Sequence, residues 1–263
     1  MNYRYLQIDK STPEIVCISL NRPEKRNALN IEMIQELSEA FQLFPQDPTL
    51  RIAILYGTGK TFCVGLDLLE SIQTQSIEKM AEAISQMLTT IYSSPLVTIA
   101  VLEGDAIAGG AGIVSVCDFA IAAEDVRMGF PEVHRGMVAA VISVFLCRQM
   151  PHRSVRQLLL TGDLIDSKQA CELGLISHAV ARNNLFEGVN DLTQKILKGS
   201  PYAFQETKKL LHKLAPTELT HDLETALKTY ERVRTSGEAK EGIAAFLEKR
   251  DPSWLKVKPK VNL

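Results

Sequence analysis

Residues 96–122 form the segment LVTIAVLEGDAIAGGAGIVSVCDFAIA, which carries the clearest fold signal in the 263-residue chain. Residues 96–102 are a short apolar run rich in β-branched side chains, which predicts a buried strand, and residues 119–122 predict another. Between them, a glycine-dense turn at 104–112 leads into the apolar stretch 113–117. Strands that alternate with helices in this way are typical of an α/β fold with parallel pairing.

The same alternation extends toward the N-terminus. Residues 3–9 alternate between apolar and polar, and residues 14–20 are rich in β-branched side chains, which together predict an opening hairpin. Asn30 is a candidate N-cap for the helix that follows, and residues 51–56 predict a further buried strand. The predicted fold class is therefore α/β.

The C-terminal third of the chain has a different character. Asp166 is a candidate N-cap for a short helix, and long helical patterns dominate from residue 184 onward. We therefore expect a core over residues 1–199. We expect a separate helical region over residues 200–263, which packs on its own core or on a partner subunit.

Composition argues against several classes of protein. The chain is 46% hydrophobic and 23% charged, which is typical of a globular protein, and a net charge of -2 makes nucleic acid an unexpected partner. The N-terminus has no apolar signal segment and no run of 18 apolar residues occurs, so we expect no membrane span. Five scattered cysteines indicate reduced thiols, and we predict a cytoplasmic location.

Several common site motifs fail to match. A phosphate-binding loop would need a glycine where Ile54 stands, and residues 104–112 do not fit the dinucleotide-binding pattern GxGxxG. The hydrolase motif GxSxG and the zinc motif HExxH are both absent from the sequence. The five histidines have no metal-ligand spacing, so no metal site is predicted.

Four segments give a positive match. They are NRPEKRNALN at 21–30, GKTFCVGLDLL at 59–69, GDAIAGGAGIVSVCD at 104–118 and FPEVHRG at 130–136. Together they resemble the crotonase (enoyl-CoA hydratase/isomerase) family, in order and at family spacing. The resemblance implies a spiral of ββα units with a helical C-terminal region that trimerises. It also implies an enzyme that acts on an acyl-CoA thioester and assembles as a trimer or hexamer.

The family's chemistry develops negative charge on the thioester carbonyl oxygen, and that charge needs preorganised N–H donors in a dry site. By resemblance, the backbone N–H groups of Leu66 and Gly109 are these donors, and both residues are candidate catalytic residues. Gly110 would allow the backbone to approach the substrate closely. A helix beginning near Gly110 would direct its positive end at the same oxygen.

Glu132, which follows Pro131, matches the family's acidic residue that moves a proton to or from the substrate. A carboxylate in an apolar acyl pocket has a raised pKa, which suits a general acid/base. Gly112 is a departure, because typical hydratases of the family carry a second glutamate there and hold the attacking water between the two carboxylates. Possible substitutes are Glu103, Asp67, Asp105 and His134, although a solvated or structural role is favoured for each.

The NRPEKRNALN segment provides Lys25 and Arg26, whose cations suit the phosphates of coenzyme A. By resemblance, five further positions line the coenzyme A channel, namely Ala28, Val64, Gly65, Asp67 and Leu68. Gly110, Gly112 and Pro131 complete the predicted substrate-binding set. No cofactor is expected, since coenzyme A is part of the substrate.

The predicted reaction is hydration of a 2-enoyl-CoA or the reverse dehydration. Because Gly112 leaves a single glutamate, the alternatives are an enoyl-CoA isomerase or an acyl-CoA decarboxylase. A further alternative is a non-catalytic trimeric or RNA-binding relative. A basic patch supports that last possibility weakly, and its members are Lys249, Arg250, Lys256, Lys258 and Lys260.

Overall fold

A computed structural model describes residues 3–73, 77–215 and 217–255. The strands are β1 (Leu6–Asp9), β2 (Ile15–Leu20), β3 (Ile52–Gly57), β4 (Thr61–Cys63), β5 (Val97–Leu102), β6 (Asp105–Ile107), β7 (Phe119–Ala123), β8 (Arg127–Gly129), β9 (Leu164–Asp166) and β10 (His178–Val180). The helices of the first two thirds are α1 (Ile31–Leu43), α2 (Leu68–Gln73), α3 (Ile77–Tyr92), α4 (Gly109–Val116), α5 (Ala140–Gln149), α6 (His152–Thr161) and α7 (Ser167–Glu172). The remaining helices are α8 (Leu185–Leu197), α9 (Pro201–Lys213), α10 (Leu219–Arg234) and α11 (Gly237–Glu248). Four short 3₁₀ helices cover Pro23–Lys25, Phe44–Gln46, Pro131–Arg135 and Arg182–Asn184.

The strands form two sheets that the chain visits in turn. The larger sheet has the order β1-β2-β3-β5-β7-β10, and the smaller has the order β4-β6-β8-β9. Pairing is parallel except between β1 and β2 and between β8 and β9. Strands β3, β5 and β7 of the larger sheet are each followed by β4, β6 or β8 of the smaller sheet and then by helix. The result is a spiral of ββα units, as the resemblance implied.

The predicted local signals are present in the structure. The opening hairpin forms with Leu6 opposite Leu20, and the strand predicted at 96–102 is buried along all of β5. The Asn30 side chain caps α1 by accepting a hydrogen bond of 3.0 Å from the Met33 N–H. Asp166 caps α7 in the same way, at 2.8 Å from the Gln169 N–H.

The C-terminal helices pack on the chain's own core. Helix α10 lies against α5 and α3, and α11 lies against the 3₁₀ helix Pro131–Arg135. In α9, the Lys208 ammonium donates to the Leu96 carbonyl at 2.8 Å and to the Asp118 carboxylate at 2.6 Å. The described part of residues 200–263 is therefore attached to the core at several places. Within the described residues, no helix is long and apolar enough to cross a membrane.

Candidate active site

A cleft of about 860 Å³ lies where the two sheets, the start of α5 and the C-terminal helices meet. Ten of the predicted site residues line it, namely Lys25, Arg26, Ala28, Val64, Leu66, Asp67, Leu68, Gly109, Pro131 and Glu132. The structure therefore brings segments that are up to 107 positions apart in the chain, from residue 25 to residue 132, into one space.

The Leu66 backbone faces the cleft because of how its neighbours are bonded. Leu29 pairs with Leu66 in a parallel bridge, in which the Leu29 N–H donates to the Gly65 carbonyl and the Asp67 N–H donates to the Leu29 carbonyl. In a parallel bridge the N–H of the opposing residue points the other way. The Leu66 N–H therefore points away from Leu29, which leaves it available to a ligand.

The Gly109 N–H is the first of helix α4, and first-turn N–H groups have no partner inside the helix. The preceding residue, Ala108, has φ 52° and ψ -122°, a strained conformation for a residue with a side chain. A Cβ built on Gly109 would lie 3.5 Å from the Gly65 Cα and 3.9 Å from the Leu66 nitrogen. The two candidate N–H donors are therefore neighbours.

The other three predicted glycines do not line the cleft. Gly65 has φ +85°, and a Cβ there would come within 2.8 Å of the Ala108 side chain, so this glycine lets the two donor loops touch. Gly110 packs directly against the Cys63 backbone at the end of β4. Gly112 is buried inside α4. These three glycines therefore lie beneath the cleft surface, where Gly65 and Gly110 allow neighbouring backbone segments to pack closely.

Arg22 fixes the loop that carries Leu66. Its guanidinium donates to the Asp67 carboxylate at 2.9 Å and to the Ala28 carbonyl at 3.1 Å. Both side chains of the Arg22–Asp67 ion pair are largely buried. Lys25 and Arg26 follow Arg22 on its own loop. Both line the cleft, and neither has an ion-pair partner in the described ranges. Lys25 and Arg26 are therefore two cations that the cleft can offer to phosphate groups.

Glu132 lies on the 3₁₀ helix Pro131–Arg135, with one carboxylate oxygen buried. Oε2 is inaccessible to solvent and accepts no hydrogen bond from the described part of the chain. Burial raises the pKa of Glu132 to about 7, while its own backbone N–H and the charge of Arg135 act in the opposite direction. A carboxyl group with this pKa exchanges protons readily at neutral pH, as general acid/base chemistry requires.

Helix α11 packs against the 3₁₀ helix Pro131–Arg135, which carries Glu132. The Arg135 guanidinium lies 4.1 Å from the centre of the Phe246 ring, and its Nε is buried without a hydrogen-bond partner among the described residues. Gly242 allows the α11 backbone to touch the Arg135 carbonyl. His134 forms a hydrogen bond of 2.7 Å with the Thr161 carbonyl at the end of α6. The 3₁₀ helix that carries the Glu132 carboxylate is therefore held in place by contacts with α6 and α11.

Known proteins are similar to this chain over nearly its whole length. The sequence model of the family described as Enoyl-CoA hydratase/isomerase matches residues 10–257. The chain belongs to the enoyl-CoA hydratase/isomerase family. A Thermus thermophilus protein named "Putative enoyl-CoA hydratase" is 34% identical over 254 residues, covering 95% of this chain and 100% of the relative.

Two solved structures are similar to this chain over nearly its whole length. An enoyl-CoA hydratase from Mycobacterium avium superimposes with a TM-score of 0.85 at 29% identity, covering 97% of this chain and 100% of the other. A methylmalonyl-CoA decarboxylase in complex with 2-nitronate-propionyl-CoA gives a TM-score of 0.84 at 25% identity, with coverage of 97% and 100%. Proteins named for different reactions therefore share this architecture.

The space beside Gly112 shows where this chain departs from the two-glutamate pattern of its family. A Cβ at position 112 would lie 3.0 Å from both Cγ1 and Cδ1 of Ile142, a buried residue of α5. Ile142 also lines the cleft. An aliphatic side chain therefore fills the volume next to the position where typical hydratases carry the second carboxylate.

The four suggested substitutes for that carboxylate are engaged or exposed. Asp67 is bound to Arg22, and Asp105 accepts a hydrogen bond of 3.1 Å from Arg127. His134 is bonded to the Thr161 carbonyl, and Glu103 is exposed. The contacts of Asp67, Asp105 and His134 and the exposure of Glu103 agree with the solvated or structural roles favoured from the sequence.

Sequence reasoning missed several cleft residues that come from distant segments. Ile142 of α5, Tyr230 of α10, and Phe246 and Leu247 of α11 all line the cleft. Tyr230 stands out in the sequence as an apolar residue at helical spacing, but no local motif marks it as facing a site. The positions of these four residues in the cleft depend on how α5, α10 and α11 pack together.

Proposed function

We propose that this enzyme adds water to a 2-enoyl-CoA and catalyses the reverse dehydration, through an enolate of the thioester. The observation that carries the proposal is the shared cleft of two adjacent N–H groups, on Leu66 and Gly109, and one buried carboxylate, on Glu132. The N–H groups are suited to stabilise the oxyanion, and the carboxylate to move protons. The chain's membership of the enoyl-CoA hydratase/isomerase family supports this reaction class.

In the hydration direction, ionised Glu132 takes a proton from water while the water oxygen forms a bond to Cβ of the enoyl group. The electron pair of the C=C bond moves to the thioester, and the resulting enolate oxygen is held by the N–H groups of Leu66 and Gly109. Glu132 then returns its proton to Cα and regains its negative charge. One molecule of water is added, and no cofactor is consumed.

Lys25 and Arg26 are proposed to bind the phosphate groups of coenzyme A. Both line the cleft on the loop that Arg22 holds in place. Ala28, Val64, Asp67 and Leu68 are proposed to line the path between the phosphates and the thioester, since they border the same cleft. The Asp67 carboxylate is paired with Arg22, so its charge is balanced where an anionic ligand passes.

Double-bond isomerisation is the second candidate. Position 112 is a glycine, and Ile142 fills the space beside it. Of the two carboxylates expected in a typical hydratase of the family, only Glu132 is therefore available. A single carboxylate suffices to take a proton from C2 of a 3-enoyl-CoA and to return it at C4. Decarboxylation requires an acyl group that carries its own carboxylate, and it remains a further alternative.

A non-catalytic or RNA-binding role has less support. The raised pKa and buried Oε2 of Glu132 are features of a reaction site. In the basic patch, Arg250 is paired with Glu241 at 2.7 Å and with Glu248 at 2.6 Å, so its charge is already balanced. Of the four lysines of the patch, Lys249 is exposed, and the other three, Lys256, Lys258 and Lys260, lie outside the described residues.

We further propose a homotrimer or hexamer located in the cytoplasm. Leu210 and Leu211 of α9 and Leu214 at its C-terminal end are 55–70% exposed, which supports an interface with another subunit. By contrast, Leu223, Leu227 and Tyr230 of α10 are partly buried against the chain's own core. Sedimentation at micromolar concentration measures the assembly state, and a stable monomer would contradict this proposal.

An activity screen tests the proposed reaction. The substrates are crotonyl-CoA, a 3-enoyl-CoA and malonyl-type thioesters, and Glu132→Gln serves as the matched inactive control for each. We expect hydration of 2-enoyl-CoA to be the reaction with the highest kcat/KM. A protein that isomerises 3-enoyl-CoA but adds no water to any 2-enoyl-CoA would replace the hydratase proposal with the isomerase.

A further inference from the structure

The Tyr230 hydroxyl and the Glu132 carboxylate are an unused donor and an unused acceptor in one cleft. Both residues line it, and Glu132 Oε2 accepts no hydrogen bond from the described residues. The polar side chain that acts on the Tyr230 hydroxyl from its own helix is Arg234, which can only donate hydrogen bonds. Within the described part of the chain, the hydroxyl proton therefore has no acceptor.

Tyr230 is held in this position by apolar packing. Its ring packs against a small apolar cluster of α5 and α10 formed by Ala140, Val144 and Ala226, and partly buried Val138 packs against the same cluster. This cluster includes the start of α5, which directly follows the segment that carries Glu132. The ring is therefore held in the cleft that Glu132 also lines.

Tyr230 stays protonated under conditions in which Glu132 changes charge. Burial raises the pKa of Tyr230, the Glu132 charge raises it further, and Arg234, which is 8% exposed, acts in the opposite direction. The raised pKa leaves the phenol neutral and able to donate a hydrogen bond while Glu132 titrates near neutrality. The pair therefore offers one proton donor and one anionic acceptor.

We propose that Tyr230 and Glu132 together hold the attacking water, so that Tyr230 replaces the second carboxylate that position 112 lacks. This inference rests on the proposed hydratase function. The Tyr230 hydroxyl donates to one lone pair of the water oxygen, and Glu132 Oε2 accepts one of the water hydrogens. The other lone pair forms the bond to Cβ. The accepted proton moves to Glu132 and then to Cα, while Tyr230 keeps its own proton.

Tyr230→Phe tests the proposal because it removes the hydroxyl and keeps the ring. Loss of one hydrogen bond to the water should lower kcat for crotonyl-CoA hydration about 10- to 100-fold. KM should change by less than about threefold, since the hydroxyl does not hold the substrate. Tyr202→Phe, on a side chain that is 73% exposed, is the matched control and should behave like the unmodified protein.

A second measurement isolates the water. Exchange of the α-proton of butyryl-CoA with D₂O, followed by mass spectrometry, uses Glu132 and the N–H donors but no attacking water. Exchange should stay within about twofold in Tyr230→Phe, whereas Glu132→Gln should abolish it.

Each outcome is informative. Slow hydration with normal exchange supports the assignment. Normal hydration in Tyr230→Phe overturns it and leaves the hydratase proposal intact. Equal losses of hydration and exchange also overturn it, because Tyr230 would then act on Glu132 or on the fold rather than on water. An unmodified protein that exchanges the α-proton but hydrates no 2-enoyl-CoA would refute the hydratase function itself.

Discussion

The cleft has two parts that are built in different ways. The donor side consists of the backbone N–H groups of Leu66 and Gly109, which are held by neighbouring loops that contact each other at Gly65. The carboxylate side consists of three side chains, Glu132, Ile142 and Tyr230, which come from separate elements. Backbone donors impose strict local requirements on the chain, whereas a side-chain constellation depends on how distant elements pack.

The largest expected effect lies on the carboxylate side. Glu132→Gln should lower kcat by ~100-fold or more, because the amide cannot take a proton from water or from Cα. Steady-state kinetics on crotonyl-CoA measure this, with coenzyme A binding by calorimetry as the control for an intact site. Near-normal turnover would remove Glu132 from the mechanism.

The same variant has a second, opposite effect. Because the pKa of Glu132 rises from 4.5 to about 7 on folding, the native state binds this proton more tightly than the unfolded state. The buried charge therefore destabilises the fold as pH rises from 4.5 through 7. Above pH 7, Glu132→Gln should be more stable by up to about 3 kcal/mol, as measured by chemical denaturation.

On the donor side, Gly109→Pro should lower turnover by at least ~100-fold, because proline has no N–H to offer the oxyanion. Proline is tolerated at the first position of a helix, and Gly109 is that position in α4, but a proline at 109 disfavours the φ 52° and ψ -122° of Ala108, so folding of the variant is checked directly. Light scattering and thermal unfolding verify assembly and folding. A folded variant with full activity would show that the oxyanion is stabilised elsewhere.

The two sides of the cleft differ in how far they were predictable. The family resemblance carried by residues 59–69, 104–118 and 130–136 implied that Leu66, Gly109 and Glu132 belong to one site, and all three line the cleft. Ile142 and Tyr230 could not be predicted, because nothing in a helical pattern says which apolar residue faces a cleft. In the C-terminal region, helical spacing likewise could not show which apolar residues face the core. Leu223 and Leu227 of α10 pack against it, whereas Leu210 and Leu211 of α9 are exposed.

The pH profile sharpens the comparison, because only the carboxylate side titrates. The reaction needs ionised Glu132, so kcat/KM should fall about tenfold per pH unit below about 7, with Arg135 opposing the shift and burial dominating. An unperturbed glutamate would place this limb near pH 4.5. Stopped-flow assays between about pH 5 and about pH 9 locate this limb. A profile that is flat down to about pH 5 would contradict the raised pKa.

The smallest expected effect comes from converting the carboxylate side to the two-glutamate arrangement. Gly112→Glu alone should gain little, because a Cβ at 112 would lie 3.0 Å from Cγ1 and Cδ1 of Ile142, which would have to move to admit the new side chain. Ile142→Ala opens that space, at a cost of about 2–5 kcal/mol in stability. The double variant Gly112→Glu/Ile142→Ala should then hydrate crotonyl-CoA about tenfold faster than Ile142→Ala, since one more acceptor orients the water.

Gly112→Gln/Ile142→Ala is the matched control for that double variant, because it has the same size and no charge. If the gain comes from a second carboxylate, the glutamine version should lack it. If both versions gain equally, the added volume rather than the charge orients the substrate. If the unmodified protein already hydrates crotonyl-CoA rapidly and the double variant adds nothing, then Glu132 already has a sufficient partner for the water. Tyr230→Phe in the double-variant background distinguishes that case, because an installed carboxylate should make hydration insensitive to loss of the Tyr230 hydroxyl.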